Sequence, residues 1–163
     1  EKNLQDAFAG ESQANRKYLA FGKKAEAEGF KQVAKLFRAA SGAETIHAHA
    51  HLRVMNGIKS TAENLQTAID GEGHEFKTMY PAFVQEAEAE KNIPATVTFK
   101  YAMAVEKVHF ALYTEALAAI HGGKDPAPSP IFICQVCGNT VLGKAEDKCS
   151  VCSAAKDKFS EVR

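Results

Sequence analysis

The sequence lacks features that mark several large classes of protein. It contains no tryptophan, and its 20 lysine and arginine residues match its 20 aspartate and glutamate residues in number. Without a basic surplus, nothing indicates a surface for nucleic acid or for an anionic membrane. No apolar run approaches the roughly 20 residues that a helix needs to span a bilayer. We therefore expect neither nucleic acid nor a membrane among the partners of this protein.

Cysteine is also missing, except near the end of the chain. All four cysteines lie between Cys134 and Cys152, in two C-x-x-C pairs. In an intracellular protein such pairs are typical of a metal site rather than of disulfides. The sequence also shows no secretory leader, in which charged residues precede an apolar run, so we expect a cytoplasmic protein.

Breaks at glycine and proline divide most of the chain into predicted helices. Three of them span about residues 2–28, 30–56 and 61–91, and a fourth ends near His121. Pro81 should bend the third helix, because proline lacks the backbone N–H that a helix interior uses. Four helices of about 25 residues, joined by short or modest connections, predict a four-helix bundle.

The predicted domains follow from this pattern. Residues 1–122 form the helical bundle, and the proline-rich segment 123–130 has the composition of an extended linker. Residues 131–163, which hold the cysteines, are too few to fold on hydrophobic burial alone, so that a bound metal must supply the rest. The predicted fold class is therefore mainly α, with a small metal-binding domain after the bundle.

An internal repeat relates the two halves of the predicted bundle. Residues 3–14 reappear as 64–75 at an offset of 61, whereas AETIH at 43–47 matches VEKVH at 105–109 at an offset of 62. One inserted residue, near Pro81, accounts for the difference. The repeat predicts that the first helix pair is duplicated as the second, with equivalent residues opposite each other across a dyad.

The repeat pairs polar residues that share helix faces with apolar ones. An ionised carboxylate on such a face is strongly disfavoured unless it is paired or coordinates a metal. One Glu from each of two helices and a Glu-x-x-His from each of the other two is the ligand set of di-iron and di-manganese bundles. Oxygen and imidazole ligands suit iron or manganese. The predicted ligands form three repeat-related pairs: Glu11 and Glu72, Glu44 and Glu106, and His47 and His109.

Three further residues lie near the predicted dinuclear site. Glu75 follows Glu72 by one turn on the same inward face, and its repeat partner is Ala14, so the site has a fifth carboxylate. Tyr18 and Tyr80 lie about two turns beyond the glutamates of the first and third helices. Their hydroxyls either hydrogen-bond to ligating carboxylates or simply pack in the core.

The cysteine pairs predict a second metal site. Cys134 and Cys137, then eleven residues, then Cys149 and Cys152 form a tetrahedral four-thiolate pattern. Such ligation fits zinc, as in a zinc ribbon, or iron. Attachment to a redox-active dinuclear site favours iron, because zinc carries no electrons.

The motifs AFAGESQA, AETIH, GEGHE, MYP, VEKVH and the two C-x-x-C pairs occur in the order found in rubrerythrins, and the chain resembles that family over essentially its whole length. The resemblance implies a ferritin-like bundle followed by a rubredoxin-like domain. It implies a di-iron centre that alternates between ferrous and ferric states, and one mononuclear iron. The implied di-iron ligands are Glu11, Glu44, His47, Glu72, Glu75, Glu106 and His109, and the implied ligands of the single iron are Cys134, Cys137, Cys149 and Cys152.

The resemblance also implies an activity. Rubrerythrins look like peroxide reductases that take electrons from reduced pyridine nucleotide through a separate reductase or a rubredoxin. They generally act as head-to-tail homodimers, in which one subunit's rubredoxin-like iron serves the other's di-iron centre. The family pattern further selects His47 as the ligand that exchanges with Glu75 on oxidation. Hydrogen peroxide is thus the expected substrate.

Two other functions are weighed against the peroxidase. Iron storage or ferroxidase activity is compatible with the bundle alone, but a storage protein needs no tethered thiolate module. A zinc-ribbon interaction module would leave the glutamate cluster unexplained.

The second cysteine pair departs from the family pattern. Ser150 and Ser153 stand where the family often has proline and glycine. Glycine relieves a positive-φ backbone, which lets amides point at the sulfurs. We expect the site still to bind metal, with its potential and its preference for iron over zinc as the properties most affected.

Overall fold

The chain is mainly helical, with a small sheet near its end, as the sequence predicts. A computed structural model describes all 163 residues and divides them into two compact units, residues 1–59 and 60–163. None of its helices is both long enough and apolar enough to cross a membrane.

The first unit is a hairpin of two helices, α1 (Lys2–Ala27) and α2 (Lys31–Val54). Gly29, with φ of 85°, forms the turn between them. A left-handed backbone of this kind suits glycine, which has no Cβ to clash. The turn is closed by the Phe30 N–H, which donates to the Ala25 carbonyl at 2.9 Å.

Small residues hold the two helices of the first unit together. Ala34, Ser41 and Ala48 recur every seven residues along α2 and are buried. On α1, a Cβ added to Gly22 would lie 3.4 Å from the Ala34 carbonyl, so the backbones approach closely here. The buried Asn15 side chain donates to the Ser41 carbonyl at 2.8 Å. The contact with α1 therefore uses one narrow face of α2.

The second unit begins with four helical segments: α3 (Thr61–His74), a π-helical turn (Glu75–Met79), α4 (Tyr80–Ala89) and α5 (Ile93–His121). Ser60 and Glu63 form a reciprocal capping box that fixes the start of α3. Asn92 caps α5 by accepting from the Ala95 N–H at 3.2 Å. Pro81 lies in the first turn of α4, where its missing N–H costs little.

The π-helical turn explains the inserted residue in the internal repeat. A π turn accommodates one more residue than an α-helical turn and is frequent at functional sites. The turn between α4 and α5 matches the turn between α1 and α2 at the larger offset of 62. The Asn92 N–H donates to the Ala87 carbonyl, as the Phe30 N–H donates to the Ala25 carbonyl. The insertion therefore precedes Ala87 and follows the first repeated block, which places it in the turn that begins at Glu75.

The end of the second unit is a three-stranded antiparallel sheet with the strand order β2-β1-β3. Its strands are β1 (Ile131–Cys134), β2 (Thr140–Leu142) and β3 (Phe159–Glu161), and a 3₁₀ turn (Lys156–Lys158) precedes the last one. Phe132 of β1 pairs with Val141 on one side and with Glu161 on the other. The division into residues 1–122, 123–130 and 131–163 stays a prediction. The boundary between the two compact units falls along the chain between Lys59 and Ser60.

Candidate metal centres

The first ligand cluster lies within the α1–α2 hairpin and consists of Glu11, Glu44 and His47. One ligating atom from each residue lies within 4.8 Å of the others. Glu44 and His47 are three residues apart, so they share a helix face, and His47 Nδ1 lies 3.0 Å from Glu44 Oε2. Three of the predicted di-iron ligands thus come together in the first unit.

The second ligand cluster repeats this arrangement with Glu72, Glu106 and His109. Their ligating atoms also lie within 4.8 Å of one another. His109 Nδ1 is 2.8 Å from Glu106 Oε2 and 3.7 Å from Glu72 Oε1. The pairing inferred from the repeat is therefore reproduced in three dimensions, residue by residue.

The second cluster concentrates negative charge. Burial raises the pKa of Glu72 to about 7, assisted by its hydrogen bond with Glu106 and by the charges of Glu106 and Glu75. Burial, followed by the charges of the same three glutamates, also raises the pKa of Tyr80. Carboxylates that share a partly buried site cannot all ionise freely, and bound cations remove that conflict.

Glu75 and the two tyrosines stand beside the clusters rather than within them. Glu75 begins the π turn, close enough for its charge to act on Glu72, but it is outside the group of three ligating atoms. The Tyr18 ring lies 6.1 Å from Phe37. The Tyr80 ring lies at right angles to a neighbouring phenylalanine, with 6.2 Å between centroids. Both tyrosines therefore pack in aromatic groups, and nearby carboxylates act on the Tyr80 hydroxyl.

The ligand-bearing face of α2 is more exposed than the sequence predicts. The side chain of His47 is 55% exposed, whereas that of Glu44 is 18% exposed. Leu36 and Val54 lie on the same face as His47 and are 69% and 71% exposed. The His47 side chain is thus largely uncovered within the α1–α2 hairpin. The reason is that α1 covers the neighbouring face of α2, where the small residues are.

The four cysteines form one cluster with the geometry of a metal site. All four are free thiols, and their Sγ atoms lie within 4.8 Å of one another. Cys134 and Cys152 are 3.7 Å apart, and Cys137 and Cys149 are 3.6 Å apart, from sulfur to sulfur. A tetrahedral ion with metal–sulfur bonds of about 2.3 Å needs sulfurs about 3.8 Å apart. The residues therefore fit a mononuclear four-thiolate metal.

The protein surroundings set the charge state of these thiols. Burial raises the pKa of Cys137. Burial acts in the same direction on Cys149, but backbone N–H groups of Cys152 and Val151 outweigh it and lower the pKa of Cys149 to about 7. Hydrogen bonds to a thiolate favour the charged form that binds metals.

The two cysteine pairs are structurally alike despite the serines in the second. The Gly138 N–H donates to the Cys134 carbonyl at 2.8 Å, and the Ser153 N–H donates to the Cys149 carbonyl at 2.8 Å. Gly138 has φ of 85° and Ser153 has φ of 61°. A serine therefore occupies the left-handed position that the family pattern gives to glycine, as the sequence predicts.

Asn139 is a site residue that the sequence analysis missed. It is buried, with 2% of its surface exposed, and its Nδ2 lies 3.7 Å from Cys149 Sγ and 3.3 Å from Ser150 Oγ. The Ser150 N–H in turn donates to Glu146 Oε2 at 2.8 Å, a bond that proline at this position would lack. Ser150 is thus part of a hydrogen-bond network around the Cys149 thiol.

Thr140 is a second residue that the sequence analysis missed, and it links the two metal sites of the second unit. His109 directs Nδ1 toward the carboxylates, and its Nε2 is 3.0 Å from Thr140 Oγ1. Thr140 begins β2, three residues after Cys137. The contact borders an apolar cavity of about 690 Å³. A hydrogen bond on the second nitrogen fixes the orientation of a metal-binding imidazole.

Comparison with known proteins agrees with this geometry. The Rubrerythrin family profile matches residues 2–117. Rubrerythrin-2 of Clostridium acetobutylicum is 35% identical, over 96% of this chain and 92% of that protein. Nigerythrin of Nitratidesulfovibrio vulgaris is 34% identical, over 98% of this chain and 84% of that protein.

Solved structures give the same result. The mixed-valence state of nigerythrin superposes with a TM-score of 0.59 at 34% identity, over 99% of this chain and 85% of that chain. The fully reduced, all-ferrous state of nigerythrin has the same TM-score at 33% identity. The two carboxylate–histidine clusters and the four cysteines are accordingly ligand sets for a di-iron centre and a rubredoxin-like iron. Since the family profile spans most of the chain and the relatives cover nearly all of it, the chain belongs to the rubrerythrin family.

Proposed function

We propose that this protein reduces hydrogen peroxide to water at a di-iron centre, with electrons supplied through the four-cysteine iron. Peroxide takes up two electrons and two protons, its O–O bond breaks, and two water molecules form. The observation that carries the proposal is the contact between His109 and Thr140, which joins the second ligand cluster to the cysteine module. An iron-storage protein has no use for such a connection.

We assign seven residues to the di-iron centre: Glu11, Glu44, His47, Glu72, Glu75, Glu106 and His109. The two irons would supply the two electrons that peroxide cleavage needs. The four glutamates of the two clusters bring four negative charges, which balance two ferrous ions. Burial, together with the charges of Glu106 and Glu75, raises the pKa of Glu72, and this supports the assignment because bound cations would stabilise the ionised carboxylates.

Glu75 and His47 are proposed to exchange as ligands between the two redox states. Oxidation adds two positive charges, and a fifth carboxylate from Glu75 offsets part of them. The π turn supports this role, since it brings Glu75 close to Glu72 where the repeat has no carboxylate. The 55% exposure of the His47 side chain leaves it room to turn away from the site.

The tyrosines are proposed to assist at the reacting oxygen atoms. The raised pKa of Tyr80 keeps its hydroxyl protonated, so that it is a hydrogen-bond donor beside three carboxylates. A donor there can stabilise charge on a peroxide oxygen and hold a proton for the water that leaves. Tyr18 is assigned the equivalent role by the repeat, on the side of Glu11.

The four cysteines are proposed to hold the iron through which electrons enter. Their external donor is a reductase linked to reduced pyridine nucleotide, or a rubredoxin. Four cysteines without a disulfide are typical of a reducing compartment such as the cytoplasm, which is the location we propose. Thr140 follows Cys137 by three residues, and its hydroxyl lies 3.0 Å from His109 Nε2, which supports transfer within the second unit rather than from another subunit.

Rapid mixing of the reduced, iron-loaded protein with peroxide or with oxygen tests this function. We expect peroxide to reoxidise the di-iron centre faster than oxygen does, without net release or mineralisation of iron. Faster reaction with oxygen, coupled to uptake of further ferrous ions, would favour the ferroxidase alternative.

A further inference from the structure

We propose that the buried side chain of Asn139 raises the reduction potential of the four-cysteine iron by donating a hydrogen bond to the Cys149 sulfur. The inference goes beyond the proposed function, in which this iron only has to pass electrons on, whatever its potential. It follows from a comparison of the two cysteine pairs, whose backbones are alike but whose side chains differ at one equivalent position.

The two cysteine pairs make equivalent backbone hydrogen bonds. The Cys134 N–H donates to the Asn139 carbonyl at 2.9 Å, and the Cys149 N–H donates to the Ala154 carbonyl at 2.8 Å. The backbone N–H of each accepting residue also bonds to the sulfur of the second cysteine in its own pair. Each accepting residue follows that cysteine by two positions. Asn139 and Ala154 are therefore equivalent in the two pairs.

The side chains at these equivalent positions differ in what they offer to the sulfurs. Asn139 is only 2% exposed, and its Nδ2 lies 3.7 Å from Cys149 Sγ, in the opposite pair. Ala154 ends in a methyl group, which donates no hydrogen bond to a sulfur. The four-cysteine site is thus asymmetric, because one sulfur receives a side-chain N–H in addition to its backbone donors.

Ser150 fixes the orientation of the Asn139 amide. An amide nitrogen carries two hydrogens, and Nδ2 lies 3.3 Å from Ser150 Oγ as well as close to the Cys149 sulfur. The Ser150 N–H donates to Glu146 Oε2 at 2.8 Å, which holds the serine in place. Proline at this position would provide neither the hydroxyl nor the N–H. Ser150 is therefore a positioning residue that acts on the site through Asn139.

The sign of the effect follows from the charge on the sulfurs. Four thiolates around ferric iron carry one net negative charge, and reduction to ferrous iron adds a second. The dipole of an N–H group that points at a sulfur stabilises the more negative, reduced state by the larger amount. Hydrogen bonds to the sulfurs are accordingly among the features that set the potential of iron–sulfur sites. Because Asn139 is buried, water screens this interaction little.

A purely structural role for Asn139 would leave the potential unchanged. Its backbone and side chain contact cysteines of both pairs, so the residue also holds the two pairs together. A buried amide with its hydrogen bonds made can be retained for that reason alone. Zinc separates the two roles, because a zinc-loaded site reports stability and has no reduction potential of its own.

Asn139→Ala tests the proposal, since it installs the residue that the second pair has at the equivalent position. We expect the ratio of ferrous to ferric iron at a fixed ambient potential to fall by about tenfold, which is ~59 mV for a one-electron couple. Redox titration of the full-length, iron-loaded protein measures this through the visible sulfur-to-iron charge-transfer absorption. The absorption of the ferric site should also move to longer wavelength, because the sulfur electrons are held less tightly. An unchanged potential in an iron-loaded Asn139→Ala protein would overturn the proposal.

Two serine variants provide an independent test and a control. Ser150→Ala keeps Asn139 but removes its orienting partner, and should lower the potential in the same direction by a smaller amount. Ser153→Ala removes a hydroxyl that makes no hydrogen bond to Asn139, and should leave the potential at the parent value. If Asn139→Ala fails to retain iron, Ser150→Ala decides, and a parent-like potential there contradicts the proposal.

Urea unfolding of the zinc-loaded proteins separates the structural role from the electronic one. Loss of stability in zinc-loaded Asn139→Ala, beside a parent-like potential in its iron-loaded form, would mean that Asn139 only holds the two pairs together. A fall in potential as large in Ser153→Ala as in Asn139→Ala would also contradict the specific role. None of these measurements uses peroxide. Failure of peroxide turnover would therefore count against the proposed function alone, and an unchanged potential would count against Asn139 alone.

Discussion

The two ligand clusters come from the same repeat, but their surroundings differ. In the first, His47 Nδ1 lies 3.0 Å from Glu44 Oε2, and the His47 side chain is 55% exposed. In the second, the His109 side chain is 26% exposed and is held on both ring nitrogens, by Glu106 and by Thr140. The second cluster also has an additional neighbouring carboxylate, Glu75, which the repeat does not supply to the first.

This comparison distinguishes the residues that bind metal from those proposed to act in redox chemistry. The residues that obey the repeat are those that any carboxylate-bridged pair of metals needs. The departures from it, at Glu75 and Thr140, both lie beside the second cluster. We infer that the second cluster holds the permanently coordinated, electron-receiving iron and that the first holds the iron whose ligands change.

Loss of the cysteine iron should have the largest effect on activity, because under the proposed function it removes the electron supply to the di-iron centre. Cys149→Ser is expected to abolish steady-state peroxide turnover with an external donor. A di-iron centre reduced chemically beforehand should still react once with peroxide. Stopped-flow and steady-state assays on the same preparation separate these results. Undiminished turnover in this variant would show that electrons reach the di-iron centre by another route.

Replacing Glu75 tests whether the additional carboxylate beside the second cluster affects the reduction potential of the di-iron centre. Glu75→Ala installs the residue that the repeat has at this position, Ala14. Two metals should remain bound, while the reduction potential of the di-iron centre rises and turnover slows, because the ferric state loses a compensating carboxylate. Redox titration followed by Mössbauer spectroscopy measures the potential. Glu86→Ala, in the adjoining helix α4, is the matched control; an unchanged potential in Glu75→Ala would refute the role.

The ligand clusters could be predicted from the sequence because helical spacing alone decides which residues share a face. Glu44 and His47, three residues apart, must lie together on any α-helix. The change of offset within the repeat also revealed an inserted residue, although its form, a π turn beginning at Glu75, was visible only in three dimensions.

Other features depend on packing, which periodicity does not encode. An apolar stripe indicates which face of α2 is to be covered but not what covers it, so the exposure of His47 was missed. The contact of Thr140 with His109 requires strand β2 to lie beside α5. Asn139 reaches Cys149 only because both are buried in the same small domain. None of these residues carries a motif of its own.

The hydrogen bond between His109 Nε2 and the Thr140 hydroxyl should account for part of the difference between the two histidines. Thr140→Val removes the hydroxyl at nearly constant volume, and a single hydrogen bond of this kind contributes about 1 kcal/mol. We expect slower electron transfer from the cysteine iron to the di-iron centre, with the metal content unchanged. Thr140→Ser, which keeps the hydroxyl, is the control and should transfer electrons at close to the parent rate. Equal rates in the parent and Thr140→Val would mean that the contact only positions the cysteine domain.

The smallest effect is expected at Ser153, in the second cysteine pair. The first pair has glycine at the equivalent position, so the two cysteine pairs also differ from each other. Ser153 has φ of 61°, where Gly138 in the first pair has φ of 85°. A left-handed backbone costs a non-glycine residue roughly 1–2 kcal/mol. Glycine recovers most of this but loses about 0.5–1 kcal/mol through the entropy of the unfolded chain. Ser153→Gly should therefore stabilise the zinc-loaded protein by about 0.5–1 kcal/mol, measured as a higher urea midpoint with an unchanged slope. Ser153→Ala keeps the strain and should give no gain, so an equal stabilisation by alanine and glycine would show that the serine hydroxyl, rather than the backbone, is responsible.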